Sequence, residues 1–305
     1  MKNFENLLSD SLSFGFSETE LETCLNTLYR IDCEKLSQSF FACRKERIIP
    51  TALSGAASRI GFYPFGFYPY DEFFVPSKKE FAAASVPPET GFLSLFVYMA
   101  AKTGLLFKNY GIPDDIFSGN IKHIAACSAR FSREHGYFGV DDYVWLCGFL
   151  IPRIFCIGQL QFNLSYFSYD DITVHGRLIR NGDCIINVHV PDGADLSTNA
   201  LKYTYKRACE MFGTNIFTVD SWLLYPEHKN MLAPDSAILN FAGDYTVIES
   251  SETYDYEGLL RVFGKTDTYD YENLPKHTSL QRAYAERVRK GLPVGSGVGI
   301  MCFDD

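Results

Sequence analysis

The chain has 305 residues, a hydrophobic fraction of 47% and a formal charge of −9. This is enough apolar material for one large core or two modest ones, and the charge excludes a broad nucleic-acid surface, which needs clustered Lys and Arg. Nine cysteines without a Cys-x-x-Cys pair read as reduced thiols of a cytoplasmic protein, and the six histidines never fall at metal-ligand spacing, so no metal is expected. Met1-Lys2-Asn3-Phe4-Glu5-Asn6 lacks a basic region followed by an apolar run, so no secretory signal is expected.

The first half reads as helical. Ser17-Glu18-Thr19-Glu20 is a capping box, and Leu21, Leu25 and Leu28 follow at helical spacing. Leu36, Phe40 and Cys43 continue the pattern. Gly61–Tyr70 is rich in Phe and Tyr and carries Pro64 and Pro69, which break regular structure. It fits packing between domains, or the lining of an acyl or aromatic pocket. Ala82–Pro88 reads as a loop, Thr90–Lys108 as a buried helix, and Pro113-Asp114-Asp115 as the start of another helix. The long apolar stretches Gly91–Phe107 and Tyr143–Gly158 are interrupted by Lys102 and by Pro152 and Arg153, and read as core, not as membrane spans.

Periodicity switches from helical to alternating near Arg153. This divides the chain into a helical part, residues 1–152, and a mixed part, residues 153–305. Leu160, Phe162, Leu164 and Tyr166 alternate with Gln159, Gln161, Asn163 and Ser165 as a strand. Ile172–Arg180 and Asp183–Val190 read as a hairpin across Asn181-Gly182, a pair suited to a type I′ turn. The second strand of that hairpin stops at Pro191-Asp192-Gly193, and a helix opens near Ser197 with Leu201, Tyr205, Ala208 and Phe212 on one face. A loop that leaves a strand and opens a helix presents N–H groups at a positive dipole end, where a phosphate can sit. Ile216–Leu224 reads as an apolar strand with a polar insert, Asp220-Ser221. A short helix over Pro226–Leu232, strands over Ala237–Phe241 and Tyr245–Glu249, and a helix over Tyr256–Phe263 follow. Thr278-Ser279-Leu280-Gln281 is a second capping box, for a helix that ends at Gly291. Gly295, Gly297 and Gly299 stand in the last strand. No helix follows them, so they mark a bulge or a close backbone approach, not a nucleotide loop.

Strand-strand-strand-helix-strand-helix-strand is the order of the GNAT N-acetyltransferase superfamily. Ile157-Gly158-Gln159-Leu160-Gln161-Phe162, Asn187-Val188-His189-Val190-Pro191-Asp192-Gly193, Asp220-Ser221-Trp222-Leu223-Leu224 and Leu232-Ala233-Pro234-Asp235-Ser236, with the tail from Thr278 to Gly299, resemble a bacterial family of acyltransferases. That family combines a helical N-terminal domain with a GNAT-like C-terminal domain. The resemblance implies an α+β fold: a helical N-terminal domain, then a GNAT-like mixed α/β domain with a central, largely antiparallel sheet. It also implies acyl-CoA as co-substrate and a small-molecule or peptide amine as acceptor.

On that resemblance His189 is the general base, an imidazole being able to take a proton near neutral pH. As a plain structural residue it would fill a polar face with Asn187. Ser221 or Tyr225 would protonate the departing thiolate, although Tyr225 is one of nineteen tyrosines. Val188 and Val190 would hold the pantetheine arm, and Gly193, Ala194 and Ser197 would receive the phosphates. Arg153, Gln159 and Asp220 would bind substrate; Arg153 would equally cap the preceding helix. The phosphate loop departs from the superfamily's Gln/Arg-x-x-Gly-x-Gly/Ala pattern. It keeps one glycine and no arginine, and Asp192 and Asp195 oppose a diphosphate, while Lys202, Lys206 and Arg207 lie further along the helix. This departure supports a second reading, a ligand-binding or regulatory protein that retains the fold without catalysis. A Ser-His-Asp hydrolase comes third, because no Gly-x-Ser-x-Gly elbow is present.

Overall fold

The computed structural model describes residues 14–47, 70–252, 256–264 and 269–304. The aromatic run Gly61–Tyr70 falls, up to residue 69, outside them, as does the N-terminal hexapeptide. Two compact units divide the chain. One comprises residues 1–157, 161–165 and 210–213, and the other residues 158–160, 166–209 and 214–305.

The first unit is helical. Helices α1 (Glu18–Leu28), α2 (Cys33–Arg47), α3 (Val75–Ala83), α4 (Pro88–Asn109), α5 (Asp114–His135) and α6 (Tyr143–Leu146) are followed by strand β1 (Phe155–Ile157). The Ser17 capping box forms as expected, with Ser17 Oγ accepting the Glu20 N–H and Glu20 accepting the Ser17 N–H. Helix α4 is apolar around most of its circumference and packs on α1, α2, α3 and α5. By length and composition it could cross a bilayer, but 67% of its most apolar window is buried inside the protein. Its Phe92 stacks on Tyr143 at 4.1 Å between ring centres and meets Phe73, Phe74 and Phe81. Asn120 of α5 pins the exit into β1. Its buried amide donates to the carbonyls of Phe149 and Ile154 and accepts the Cys156 N–H at 2.7 Å. Removing such a fully satisfied buried amide strands three backbone groups.

The second half carries β2 (Leu160–Tyr166), β3 (Ile172–Val174), β4 (Arg177–Ile179), β5 (Cys184–His189), helix α7 (Thr198–Phe212), β6 (Ile216–Ser221), α8 (His228–Met231), α9 (Ala237–Gly243), β7 (Thr246–Ser251), α10 (Tyr256–Phe263), α11 (Ser279–Arg289) and β8 (Ser296–Cys302). The main sheet has the order β1-β2-β5-β6-β8-β7. Strands β5 and β6 run parallel, and β8 is antiparallel to β6 and to β7. The architecture is the expected α+β one, a helical part followed by a mixed part around a central sheet.

Two local expectations are corrected. The tight hairpin sits at His175-Gly176, which joins β3 to β4 with φ of 49° and 82°. Positive φ at both central residues is the type I′ signature. Asn181-Gly182 instead makes a turn with positive φ at Gly182 alone (89°), closed by Asp183 N–H to the Arg180 carbonyl at 3.0 Å. That is type II geometry, whose twist does not suit a two-residue hairpin. Ala237–Phe241, expected as a strand, is helical. Ser236 Oγ caps it by accepting the Leu239 N–H, and only Phe241 is buried.

Strand β8 explains its glycines. A Cβ on Gly297 would lie 2.6 Å from the Leu224 carbonyl oxygen, and one on Gly299 would overlap the Leu224 side chain. The turn that follows β6 therefore rests directly on bare backbone.

Candidate active site

The ladder between β5 and β6 is short. Its rungs are Ile186 with Phe217 and Asn187 with Thr218. Strand β5 continues to His189, and β6 continues to Ser221 while still paired with β8 through Asp220–Val298 and Ser221–Gly297. Beyond Asn187 and Thr218 the two parallel neighbours share no rung, so the ladder ends before their C-terminal ends. In open α/β sheets ligands bind beyond the carboxyl ends of parallel strands.

Side chains alternate along a strand, and registered neighbours share a face. One face therefore carries Ile186 and Val188 of β5 with Phe217 and Val219 of β6. Helix α7 covers it, with Tyr205 edge-on to Phe217 at 5.0 Å. The opposite face carries Asn187 and His189, Thr218 and Asp220, Val298 of β8 and Glu249 of β7. Tyr169 adjoins this polar face. Burial, the charge and hydrogen bond of Glu249, and the charge of Asp220 push its phenol above the ordinary range. An amide NH₂ only donates, so the Asn187 Nδ2 contact with His189 Nε2 at 3.4 Å places the imidazole lone pair on Nε2.

The loop after β5 turns at Gly193 (φ 77°), with Ala194 N–H bonded to the Pro191 carbonyl. Gln159 Oε1 accepts the Asp195 N–H at 3.2 Å, and Asp195 Oδ1 accepts the Ser197 N–H at 2.9 Å. Helix α7 then starts, its first internal acceptor being the Ser197 carbonyl. Asp192 forms an ion pair with Arg261 of α10 at 3.1 Å. Gly158 lies so close to Thr204 of α7 that a Cβ would overlap its hydroxyl, and Gln159 N–H donates to that same hydroxyl.

Beyond β6 the chain is held by a buried polar network that the sequence did not suggest. Ser221 Oγ accepts the Leu223 N–H and caps the 3₁₀ turn Trp222–Leu224. His228, 1% exposed, contacts the Leu223 carbonyl through Nδ1 and lies 2.7 Å from the Tyr284 hydroxyl through Nε2. The carbonyl can only accept, so Nδ1 carries the proton and Tyr284 donates to Nε2. Burial lowers the His228 pKa to about 4, with the Arg287 charge adding to the effect and the Leu223 carbonyl opposing it. Arg287 Nη2 donates to the Tyr225 hydroxyl at 2.8 Å, and that hydroxyl in turn donates to the Pro293 carbonyl at 3.4 Å.

The expected residues thus separate into groups. His189, Asp220, Val188 and Ser221 all lie at the C-terminal ends of β5 and β6, with Asp220 on His189's face and Ser221 on the other. Gly193, Ala194 and Ser197 lie in the loop that follows β5, but the Ala194 and Ser197 N–H groups are taken by the protein itself. Val190 lies just past β5, half-buried. Gln159 braces the loop. Tyr225 is buried, with its hydroxyl engaged on both sides. Arg153 belongs to the helical unit, where its side chain runs along Gly148.

The family model described as a GNAT-like C-terminal domain matches residues 154–301. This stretch is a GNAT-like domain. The chain is also similar to solved acyltransferase structures. One, in complex with decanoyl-CoA and teicoplanin, is 19% identical, with 97% of this chain and 87% of that chain covered and a TM-score of 0.70. A mutant acyltransferase in complex with octanoyl-CoA is 19% identical, with 98% and 88% covered and a TM-score of 0.71. Another acyltransferase, in complex with decanoyl-CoA, is 17% identical, with 100% and 88% covered and a TM-score of 0.69. At these identities the likeness establishes the fold, a helical part followed by the GNAT-like domain. No curated protein matches the chain.

Proposed function

We propose that the chain is an acyltransferase that moves an acyl group from acyl-CoA to an amine borne by a small molecule or peptide. The observation that carries this reading is the early end of the β5–β6 ladder, with His189 two residues beyond its last rung. The similar solved structures, which are acyltransferases in complex with CoA thioesters, support it. The thioester arm lies in the opening, held by the backbone of Val188–Val190 on one bank and β6 on the other. The amine arrives on the polar face. There Asp220 and Glu249 favour a cationic ammonium, and His189 takes its proton at Nε2 once the substrate displaces the Asn187 amide from that lone pair. The neutral amine nitrogen then attacks the thioester carbon, the C–N bond forms and the C–S bond breaks, and the second proton that nitrogen sheds on becoming an amide passes through a hydroxyl relay to the departing thiolate. Ser221 is the candidate donor to the thiolate, because its Oγ accepts from Leu223 and its own proton is not used in that bond. Tyr225, the other donor expected, has its hydroxyl engaged by Arg287 and the Pro293 carbonyl, which favours Ser221 in this reading. Cytoplasmic residence is part of the proposal, consistent with nine free thiols.

The second reading, a non-catalytic binding protein, draws on the phosphate loop, whose Ser197 N–H is already capped by Asp195. One experiment separates the two. The full chain is heated with a panel of acyl-CoA thioesters, and free thiol release is followed on adding primary amines. A ligand at one hundred times its Kd adds about 2.7 kcal/mol to stability. Stabilisation with amine-dependent thiol release supports transfer; stabilisation without release supports the second reading; no stabilisation by any thioester overturns the first.

A further inference from the structure

We infer that Arg261 is the cation that receives the diphosphate of the coenzyme, and that Asp192 is its built-in competitor. The inference rests on the acyl-CoA reading above and assigns the charge that the loop 191–197 does not itself supply. Helix α10 brings Arg261 to that loop. Its Leu259 and Val262 are buried against Tyr284, Ala285 and Val288 of α11, and Gln281 Nε2 donates to the Val262 carbonyl at 3.1 Å. The backbone under Arg261 is therefore fixed, and only the guanidinium head needs to move. Its Nη1 lies 3.1 Å from Asp192 Oδ1, with side-chain exposures of 39% and 62%. An ion pair that open to water is weak and easily exchanged. A diphosphate offers more charge than one carboxylate and several oxygens spaced for a guanidinium fork.

The rest of the loop repeats the pattern. The Asp195 N–H, the Ser197 N–H and Arg261 each donate to a side-chain oxygen, from Gln159, Asp195 and Asp192 respectively. These are three oxygen acceptors along the loop that joins β5 to α7, where the positive end of a helix favours an anion. Lys202 and Lys206 are exposed on α7, and Arg207 lies over the Tyr203 ring at 5.8 Å. The aspartates that argue against a diphosphate in the sequence are, in the fold, held on the donors a diphosphate would use.

The test compares decanoyl-CoA with decanoyl-pantetheine, which has the thioester but no diphosphate, by titration calorimetry on the full chain. Arg261→Gln is expected to weaken decanoyl-CoA about tenfold, the scale of one charge-assisted contact, and to leave decanoyl-pantetheine unchanged. Asp192→Asn is expected to tighten decanoyl-CoA about threefold at low salt by removing one competing carboxylate. A gain in affinity cannot come from misfolding. Unchanged decanoyl-CoA binding in Arg261→Gln, or equal weakening of both compounds, overturns the assignment while the acyltransferase reading stands. Failure of the unaltered protein to bind either compound overturns the acyltransferase reading and the assignment with it.

Discussion

His189 and Asp220 each stand two residues beyond the last rung shared by β5 and β6, on the same face of the sheet. One can take a proton, and the other presents a negative charge beside it. This is the arrangement an ammonium substrate needs, because the amine must lose a proton before it can attack.

Replacing His189 with Gln keeps a polar side chain but removes the base. Transfer is expected to slow by about 10²- to 10⁴-fold, the usual contribution of a positioned base. Affinity for acyl-CoA should stay within about twofold. Single-turnover thiol release checks the first, and calorimetry the second. Wild-type turnover in the variant would leave His189 as a filler of the polar face beside Asn187.

Asp220→Asn removes charge from the amine side of the opening. KM for a cationic amine should rise about three- to tenfold, with kcat little changed, on the scale of one partly solvated charge contact. Glu249→Gln should act in the same direction. Steady-state kinetics with a charged amine and a neutral hydroxyl analogue of equal size would show whether the effect follows the charge.

His228 makes stability depend on pH. Its folded pKa, about 4, lies below the ordinary 6.5, so the unfolded chain binds the proton first as pH falls. The stabilisation is complete above about pH 6.5 and is lost as pH falls from there through 4. At about 1.4 kcal/mol per pH unit the loss is about 3 kcal/mol. His228→Gln should be less stable at pH 7.5, having lost the Tyr284 and Leu223 contacts, and should decline less steeply between pH 6.5 and 4. Urea unfolding of both proteins across that window measures the difference, and parallel curves would contradict it.

Gly297→Ala tests the bare face of β8. The added methyl would meet the Leu224 carbonyl at 2.6 Å, and backbone on both sides leaves little room to relax. A loss of about 2 kcal/mol or more is expected, in the range of overpacked cores. Thermal unfolding reads it directly. Gly193→Ala provides the contrast: it meets no atom within 4 Å and is strained only by its φ of 77°, so a smaller loss of about 1 kcal/mol is expected.

Local signals carried much of the fold. Both capping boxes, at Ser17 and Thr278, form as their four-residue spacing implies, because the reciprocal bonds are complete within one turn of chain. The strand-loop-helix from Cys184 to Phe212 was legible for the same reason. Signals that depend on a partner were not. Asn181-Gly182 has the composition of a hairpin turn, but the flanking strands pair elsewhere, and His175-Gly176 takes that role although histidine seldom adopts positive φ. The short segment 237–243 has no periodicity long enough to tell helix from strand, and its Ser236 cap decides. His228 and Arg287 were invisible as site-forming residues, because their partners Tyr284 and Tyr225 are 56 and 62 positions distant. The Asp192–Arg261 pair spans 69 positions, and the sequence showed only a charge that opposes a phosphate.

The glycines of β8 have a consequence at the other end of β6. With no methyls in the way, Leu224 settles on the strand beside it, and the chain that leaves Ser221 folds across that neighbour. What is missing from β8 thus shapes the exit from β6, along a strand that borders it as far as Ser221.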